Sequence, residues 1–205
     1  MDMHKVPTKS NIQRVTVYAS SSNTLNQAYY DAAGRLGHVL GRAGLDIVYG
    51  GGGCGLMRSM ADAALAENAH VHGVIPHFLN TLEHGHAALS RLEVVASMRE
   101  RKQRMLEASD AVIALPGGCG TFEELFEVIS LKRLGQFLGP IVLVNTRGYF
   151  NRYVELLTFS VREGFMPEAQ LQMWSVIDDP EQVLEAFNMA AAWQCDPNCI
   201  ASVRS

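Results

Sequence analysis

Several things are scarce in this 205-residue chain, and each scarcity removes a class of protein. Lysine occurs four times, as Lys5, Lys9, Lys102 and Lys132. Two of these lie in the N-terminal stretch and Lys102 adjoins Arg101, so a Schiff-base lysine for pyridoxal phosphate chemistry is hard to nominate. Basic residues total 17 against 21 acidic ones, a net charge of −4, which argues against a protein built to grip nucleic acid backbones. The four cysteines, Cys54, Cys119, Cys195 and Cys199, fall in two glycine-rich loops and near the C-terminus. That is no disulfide framework, and a reducing cytoplasm is the expected compartment. "CDPNC" at 195–199 lacks the second Cys/His pair of a structural zinc site, and the histidines show no H-E-x-x-H spacing. No metal is therefore expected. No apolar run approaches the length of a membrane span, and "MDMHKVPTKSN" has no apolar core of a secretory signal, so no membrane partner is expected either.

What is present is an ordinary globular composition, 48% hydrophobic and 19% charged, enough for one domain over 13–194 with loose ends at 1–12 and 195–205. Short β-branched runs alternate with stretches of helical periodicity. "RVTVYAS", "LDIVYG", "HVHGVIP", "RLEVVAS", "DAVIALP", "GPIVLVN" and "MWSVIDD" read as strands, with helices between most of them and "PEQVLEAFNMAAAW" as the last helix. The alternation predicts an α/β, Rossmann-like fold: a doubly wound parallel sheet of about seven strands in three α/β/α layers. Ligands in such folds sit beyond the carboxyl ends of the strands, which directs attention to the strand-to-helix loops.

Two of those loops are rich in glycine: "YGGGGCGLM" at 49–57, with Gly51 and Gly52, and "PGGCGT" at 116–121, with Gly117, Gly118, Gly120 and Thr121. Glycines at a strand-to-helix junction let backbone N–H groups approach a phosphate closely. Neither loop continues into Gly-Lys-Ser/Thr, and the run at 50–55 meets G-x-G-x-x-G only because a glycine run fits most patterns. The plainer reading of either loop is a tight turn. "SMRERKQRM" at 97–105 adds positive charge one helix upstream, with Met98, Arg101 or Lys102, and Met105 on one face. Its plainer reading is a solvated charged face. Thr121 and Glu124 have the spacing of a helix capping box as well as that of a catalytic carboxylate, and Glu123 points elsewhere. The histidines at 77, 84 and 86 fall in a loop region over 76–91, as surface positions or a substrate contact.

"PGGCGTFEE" together with "MRERK" resembles the LONELY GUY (LOG) family, formerly labelled lysine decarboxylases. The likeness covers about residues 14 to 190, with "YGGGGCGLM", "GVIP", "DAVIALPGG" and "GYFNRYVELL" in family order. It implies a cytokinin riboside 5′-monophosphate phosphoribohydrolase that cleaves the N-glycosidic bond of an N6-substituted AMP, and AMP itself, to free base and ribose 5-phosphate. Arg101 and Glu124 are then the catalytic pair. Lys102, Met98, Gly117, Gly118, Gly120, Thr121 and Glu123 belong to the substrate and phosphate site, with Gly51, Gly52 and Ser130, the last where the family often has threonine. The resemblance implies no metal or organic cofactor and a homodimer or larger homo-oligomer. Cys119, Phe122, Arg58, Arg99, Ala87 and the "YASSS" turn depart from the family pattern. They keep open a second reading, a non-catalytic nucleotide-binding protein on the same fold.

Overall fold

The inner strands of the sheet are short apolar runs with both faces covered, so their side chains divide between two cores. In β1 (Arg14–Tyr18), Val15 and Val17 enter one core and Tyr18 the other, while the Thr16 hydroxyl donates to the Met105 carbonyl at 2.6 Å. The computed structural model describes residues 12–83, 85–107 and 109–190. The expected loose ends, the Cys195/Cys199 pair and His84 lie outside the described residues, apart from Ile12, which packs against the first core.

The chain continues through α1 (Gln27–Arg42), β2 (Asp46–Tyr49), α2 (Gly55–Ala66), β3 (Val71–Pro76), α3 (His77–Glu83) and β4 (Arg91–Val95). It then forms α4 (Met98–Leu106), β5 (Ala111–Ala114), α5 (Cys119–Arg133), β6 (Ile141–Val144), α6 (Asn151–Arg162), β7 (Ser175–Ile177) and α7 (Val183–Met189). All seven strands join one parallel sheet in the order β4-β3-β2-β1-β5-β6-β7. Helices α1, α2 and α7 supply Leu36, Met60 and Phe187 to one core. From α4, α5 and α6, Met105, Leu125, Val128 and Leu157 enter the other. This is the predicted three-layer architecture.

The chain winds outward from β1 to β4, then returns to lay β5 against β1, with Tyr18 beside Ala114. Strand order reverses there, so the crevice for a ligand opens beyond Tyr18 and Ala114. The loops that leave these strands are joined at once, Ser20 N–H donating to Pro116 O at 3.3 Å.

Three local features differ from expectation. A short helix, α3, occupies part of the region read as loop. A 3-10 segment, Glu168–Met173, precedes β7. The last helix is split, because Asp179 and Gln182 form a capping box around a 3-10 turn, Pro180–Gln182, before α7 begins.

Helix α1 lies close on α2 because Gly37 and Gly41 face it. A Cβ at Gly37 would stand 2.2 Å from the Met60 carbonyl oxygen, a backbone atom that cannot swing aside. Gly37→Ala should therefore lower stability in urea unfolding by about 2 kcal/mol, the cost of overpacking. An unchanged midpoint would show that the two helices separate freely.

Candidate active site

Helices α4 and α5 both begin at the carboxyl edge of the sheet, and the first two turns of each carry the residues that matter. Ser97 caps α4 by accepting from Glu100 N–H at 3.2 Å, and Glu100 reaches back to Ala96 N–H at 3.0 Å. This fixes the turn that places Arg101 inward, where it is 9% exposed. A buried guanidinium needs acceptors, and two are backbone carbonyls. Arg101 Nε donates to Val74 O on β3 and Nη2 to Gly50 O after β2, each at 3.1 Å. A Cβ on Gly50 would sit 1.9 Å from Nη2, so glycine is required there for the arginine to reach the chain. The remaining nitrogen, Nη1, lies 3.3 Å from Glu124 Oε1 and 4.0 Å from Met98 Sδ.

Glu124 is buried on α5, its side chain 7% exposed. Its Oε1 is within ion-pair reach of Arg101 but is not aligned for a hydrogen bond, and it has no other partner among the described residues. Burial raises its pKa to about 7, with Arg101 and Lys102 pulling down and Glu123 and Glu127 pushing up. A carboxyl poised near neutrality is suited to proton transfer. The Tyr18 phenol is held well above its ordinary pKa by burial and then by Glu124 and Glu127, with Arg101 opposing.

Lys102 and Glu123, both expected at the substrate site, pair with each other, and Lys102 Nζ also lies 3.0 Å from Glu127 Oε2. Burial works against its charge, but these two carboxylates outweigh it and raise the Lys102 pKa. Glu127 belongs to no motif in the sequence; its one signal there is Glu-x-x-x-Glu on α5 facing a lysine on α4.

The two glycine-rich loops prove to have different tasks. At the start of α2 every first-turn N–H is occupied: Gly55 N–H donates to Asn23 Oδ1 at 2.9 Å, and those of Leu56 and Met57 donate to Ser20 O. Gly51 O accepts from His86 N–H at 3.0 Å, and Gly52 bridges to Gly85, so both glycines serve the protein's own chain. Helix α5 begins at Gly118 with no side-chain cap. The N–H groups of Cys119, Gly120 and Thr121 have no partner among the described residues, and open space fronts Gly118 and Gly120. Gly117 differs, because a Cβ there would lie 2.0 Å from Thr121 Oγ1. The capping box expected at Thr121 and Glu124 does not form. The N-cap falls at Gly118, three residues before Thr121, so Thr121 and Glu124 both lie inside the helix and are buried.

Ser130 lies further along α5, exposed, its hydroxyl donating to Phe126 O at 2.8 Å, and is not brought to the Arg101–Glu124 pair within this chain. His86, read as a surface or loop position, is 8% exposed and bonds Asp62 Oδ1 at 2.8 Å through Nε2 while its Nδ1 accepts from Ala88 N–H. It pins the segment beside Gly51 to α2. Tyr149, also unread in the sequence, donates to Gly117 O at 2.5 Å and stacks on Phe122, holding the Pro-Gly-Gly turn in place.

Fold and site together define a class: a Rossmann-like α/β protein with an uncapped helix start beside a buried arginine–glutamate pair at the strand-order reversal. Comparison with known proteins narrows this. A family model described as "Possible lysine decarboxylase" matches residues 57–187. The chain is 39% identical over 183 residues to the rice protein LOGL9, a probable cytokinin riboside 5′-monophosphate phosphoribohydrolase, covering 89% of this chain and 81% of that one. It is 41% identical over 158 residues to LOG3 of Arabidopsis thaliana, a cytokinin riboside 5′-monophosphate phosphoribohydrolase, covering 77% and 74%. The chain belongs to the LOG family. Among solved structures, the molybdenum cofactor carrier protein of Chlamydomonas reinhardtii superposes with a TM-score of 0.66 at 19% identity, covering 86% of this chain and 96% of the other. The molybdenum cofactor binding protein of Rippkaea orientalis gives 0.61 at 20%, covering 85% and 93%. These two likenesses concern the fold.

The raised carboxyl has a consequence for stability. Between pH 4.5 and about 7 the folded protein holds a proton on Glu124 that the unfolded chain releases. The stabilisation is complete below the unfolded pKa and lost as pH rises through the folded one, a span worth about 3 kcal/mol. Glu124→Gln is neutral at every pH. Its stability relative to the parent should improve by about that amount from roughly pH 4.5 to roughly pH 8. A difference flat with pH would show that Glu124 ionises unhindered in the fold.

Proposed function

We propose that this protein hydrolyses the N-glycosidic bond of purine nucleoside 5′-monophosphates, N6-substituted (cytokinin-type) nucleotides and AMP among them, to free base and ribose 5-phosphate. The observation that carries the reading is the buried Arg101–Glu124 pair beside the uncapped start of α5. The activities named for the rice and Arabidopsis relatives support it.

The 5′-phosphate lies against the N–H groups of Gly118 to Thr121, where the helix dipole favours an anion. Lys102 can turn to it by exchanging one carboxylate for the phosphate. Glu124, in its ionised form, stands by the ribose. It stabilises the positive charge that spreads over C1′ and the ring oxygen as the C1′–N9 bond breaks, and it takes a proton from the water that adds to C1′. The bonding pair leaves on the purine, which is protonated from solvent, and Glu124 returns the proton it took to solvent, so that one water is consumed overall. Arg101 spends two of its three nitrogens on backbone carbonyls, so it positions Glu124 and sets the charge around it. Met98 stands beside Arg101, Gly51 and Gly52 tie the segment around His86 to the end of β2, and Glu123 acts by holding Lys102.

We assign a homo-oligomer, joined through α5 and α6. Phe126 is exposed and packs against Tyr153, and Leu156 and Phe159 are exposed on α6. Ser130 on the same side of α5 is placed by this assembly near a neighbouring subunit. No helix among the described residues is long and apolar enough to cross a membrane, and the exposed thiol of Cys119 suits the reducing cytoplasm.

Incubation of the pure protein with AMP and with isopentenyladenosine 5′-monophosphate should release adenine and isopentenyladenine. Nucleotide binding without product in either case would instead establish the non-catalytic reading. Glu124→Gln should lower kcat at least about 100-fold while nucleotide still binds. The parent's kcat/KM should fall on the acid side of about pH 7, where Glu124 takes up a proton. Phe159→Asp should convert the assembly to monomers in light scattering; an unchanged mass would move the subunit contact elsewhere.

A further inference from the structure

The opposite rim of the sheet holds a cavity that the reaction does not use. It occupies about 480 Å³ at the amino ends of β6 and β7, between the last turn of α5 and α7, and is lined by Lys132, Ile141, Met173, Trp174, Ser175 and Met189 among others. Drug-sized ligands occupy pockets of roughly 300–1,000 Å³. Its walls are mostly apolar, but two polar groups inside it are incompletely satisfied.

Lys132 is 2% exposed. Of the three donors of its ammonium, one meets Gly139 O at 2.6 Å, and the residue forms no ion pair among the described residues. Burial alone brings its pKa down to about 8, and no carboxylate among the described residues opposes it. Glu185 also lines the cavity but is exposed on α7. Ser175 Oγ is buried with no hydrogen-bond partner among the described residues. A buried cation without a counter-ion is costly, and an oxyanion arriving between Lys132 and Ser175 supplies both missing partners. The Trp174 ring and the two methionines offer an apolar surface for the rest of such a molecule.

We propose that this cavity is a second small-molecule site, which takes a carboxylate carried on a planar apolar body. Lys132 is the counter-ion, Ser175 a donor to the same oxygens, and Trp174 the packing surface. The site lies at the other end of α5 from Glu124 and is independent of the nucleotide reaction.

The test is calorimetric titration of the full chain with naphthalene-1-carboxylate, and with 1-naphthalenemethanol as its neutral counterpart. The carboxylate should bind saturably and at least about tenfold more tightly than the alcohol, the increment of one charge-assisted hydrogen bond. Affinity should decline as pH rises through about 8, where Lys132 loses its proton. Lys132→Met should abolish the preference for the carboxylate, Lys132→Arg should retain part of it, and Ser175→Ala should weaken binding without disturbing the fold. Saturating AMP should leave the titration unchanged. Equal affinity for acid and alcohol, an unaltered preference in Lys132→Met, or displacement by AMP would each overturn the assignment.

Discussion

The arrangement of the site depends on one buried guanidinium. Arg101 sits where α4 passes over the sheet, and its nitrogens reach the carbonyls that end β2 and lie on β3, and then a carboxylate on α5. Three elements far apart in sequence are thereby held at one point. The geometry also explains why lysine could not replace it. A single ammonium on a flexible stem cannot span two fixed carbonyls and a carboxylate together. Because two nitrogens are committed to backbone, the charge of Arg101 is fixed in place before any substrate arrives, which is what electrostatic preorganisation requires.

The same constraint runs outward through the glycines. Gly50 lacks a side chain because the guanidinium occupies that space, and Gly117 lacks one because Thr121 does. Gly118 and Gly120 face nothing. Bare glycines at a helix start thus separate into those required by packing and those that leave backbone donors open. Only the second kind leaves N–H groups open, and among the described residues this occurs at α5 and not at α2.

Much of this was legible in the sequence. Alternating strands and helices gave the layers, and "MRERK" with "PGGCGTFEE" pointed to the two helices that carry the buried pair. What spacing could not reveal was where helices begin and what side chains meet. Thr-x-x-Glu fits a capping box, yet the N-cap falls at Gly118 and both residues lie inside the helix. Lys102 read as a phosphate ligand, while its carboxylate partners lie on a different helix. His86 read as a loop residue because nothing local shows that Asp62, 24 positions away, accepts from it. Nothing local in the sequence marks Lys132 as buried, because its burial depends on the loop before β6 folding back to offer Gly139 O.

Charge around Glu124 closes the argument. Arg101 and Lys102 face three carboxylates, Glu123, Glu124 and Glu127, so negative charge is in excess before a ligand binds. Burial, opposed by Arg101 and Lys102 and aided by Glu123 and Glu127, keeps Glu124 near half-ionised at neutral pH. A phosphate at the start of α5 adds more negative charge and, alone, would drive Glu124 to its neutral form. Two features oppose this: the aligned peptide dipoles of α5, whose positive end would meet the phosphate, and the fixed Arg101 guanidinium beside Glu124. The carboxylate can act as a base only while these two outweigh burial. On the proposed reaction, the anchoring of Arg101 to Gly50 and Val74 is therefore a condition for chemistry.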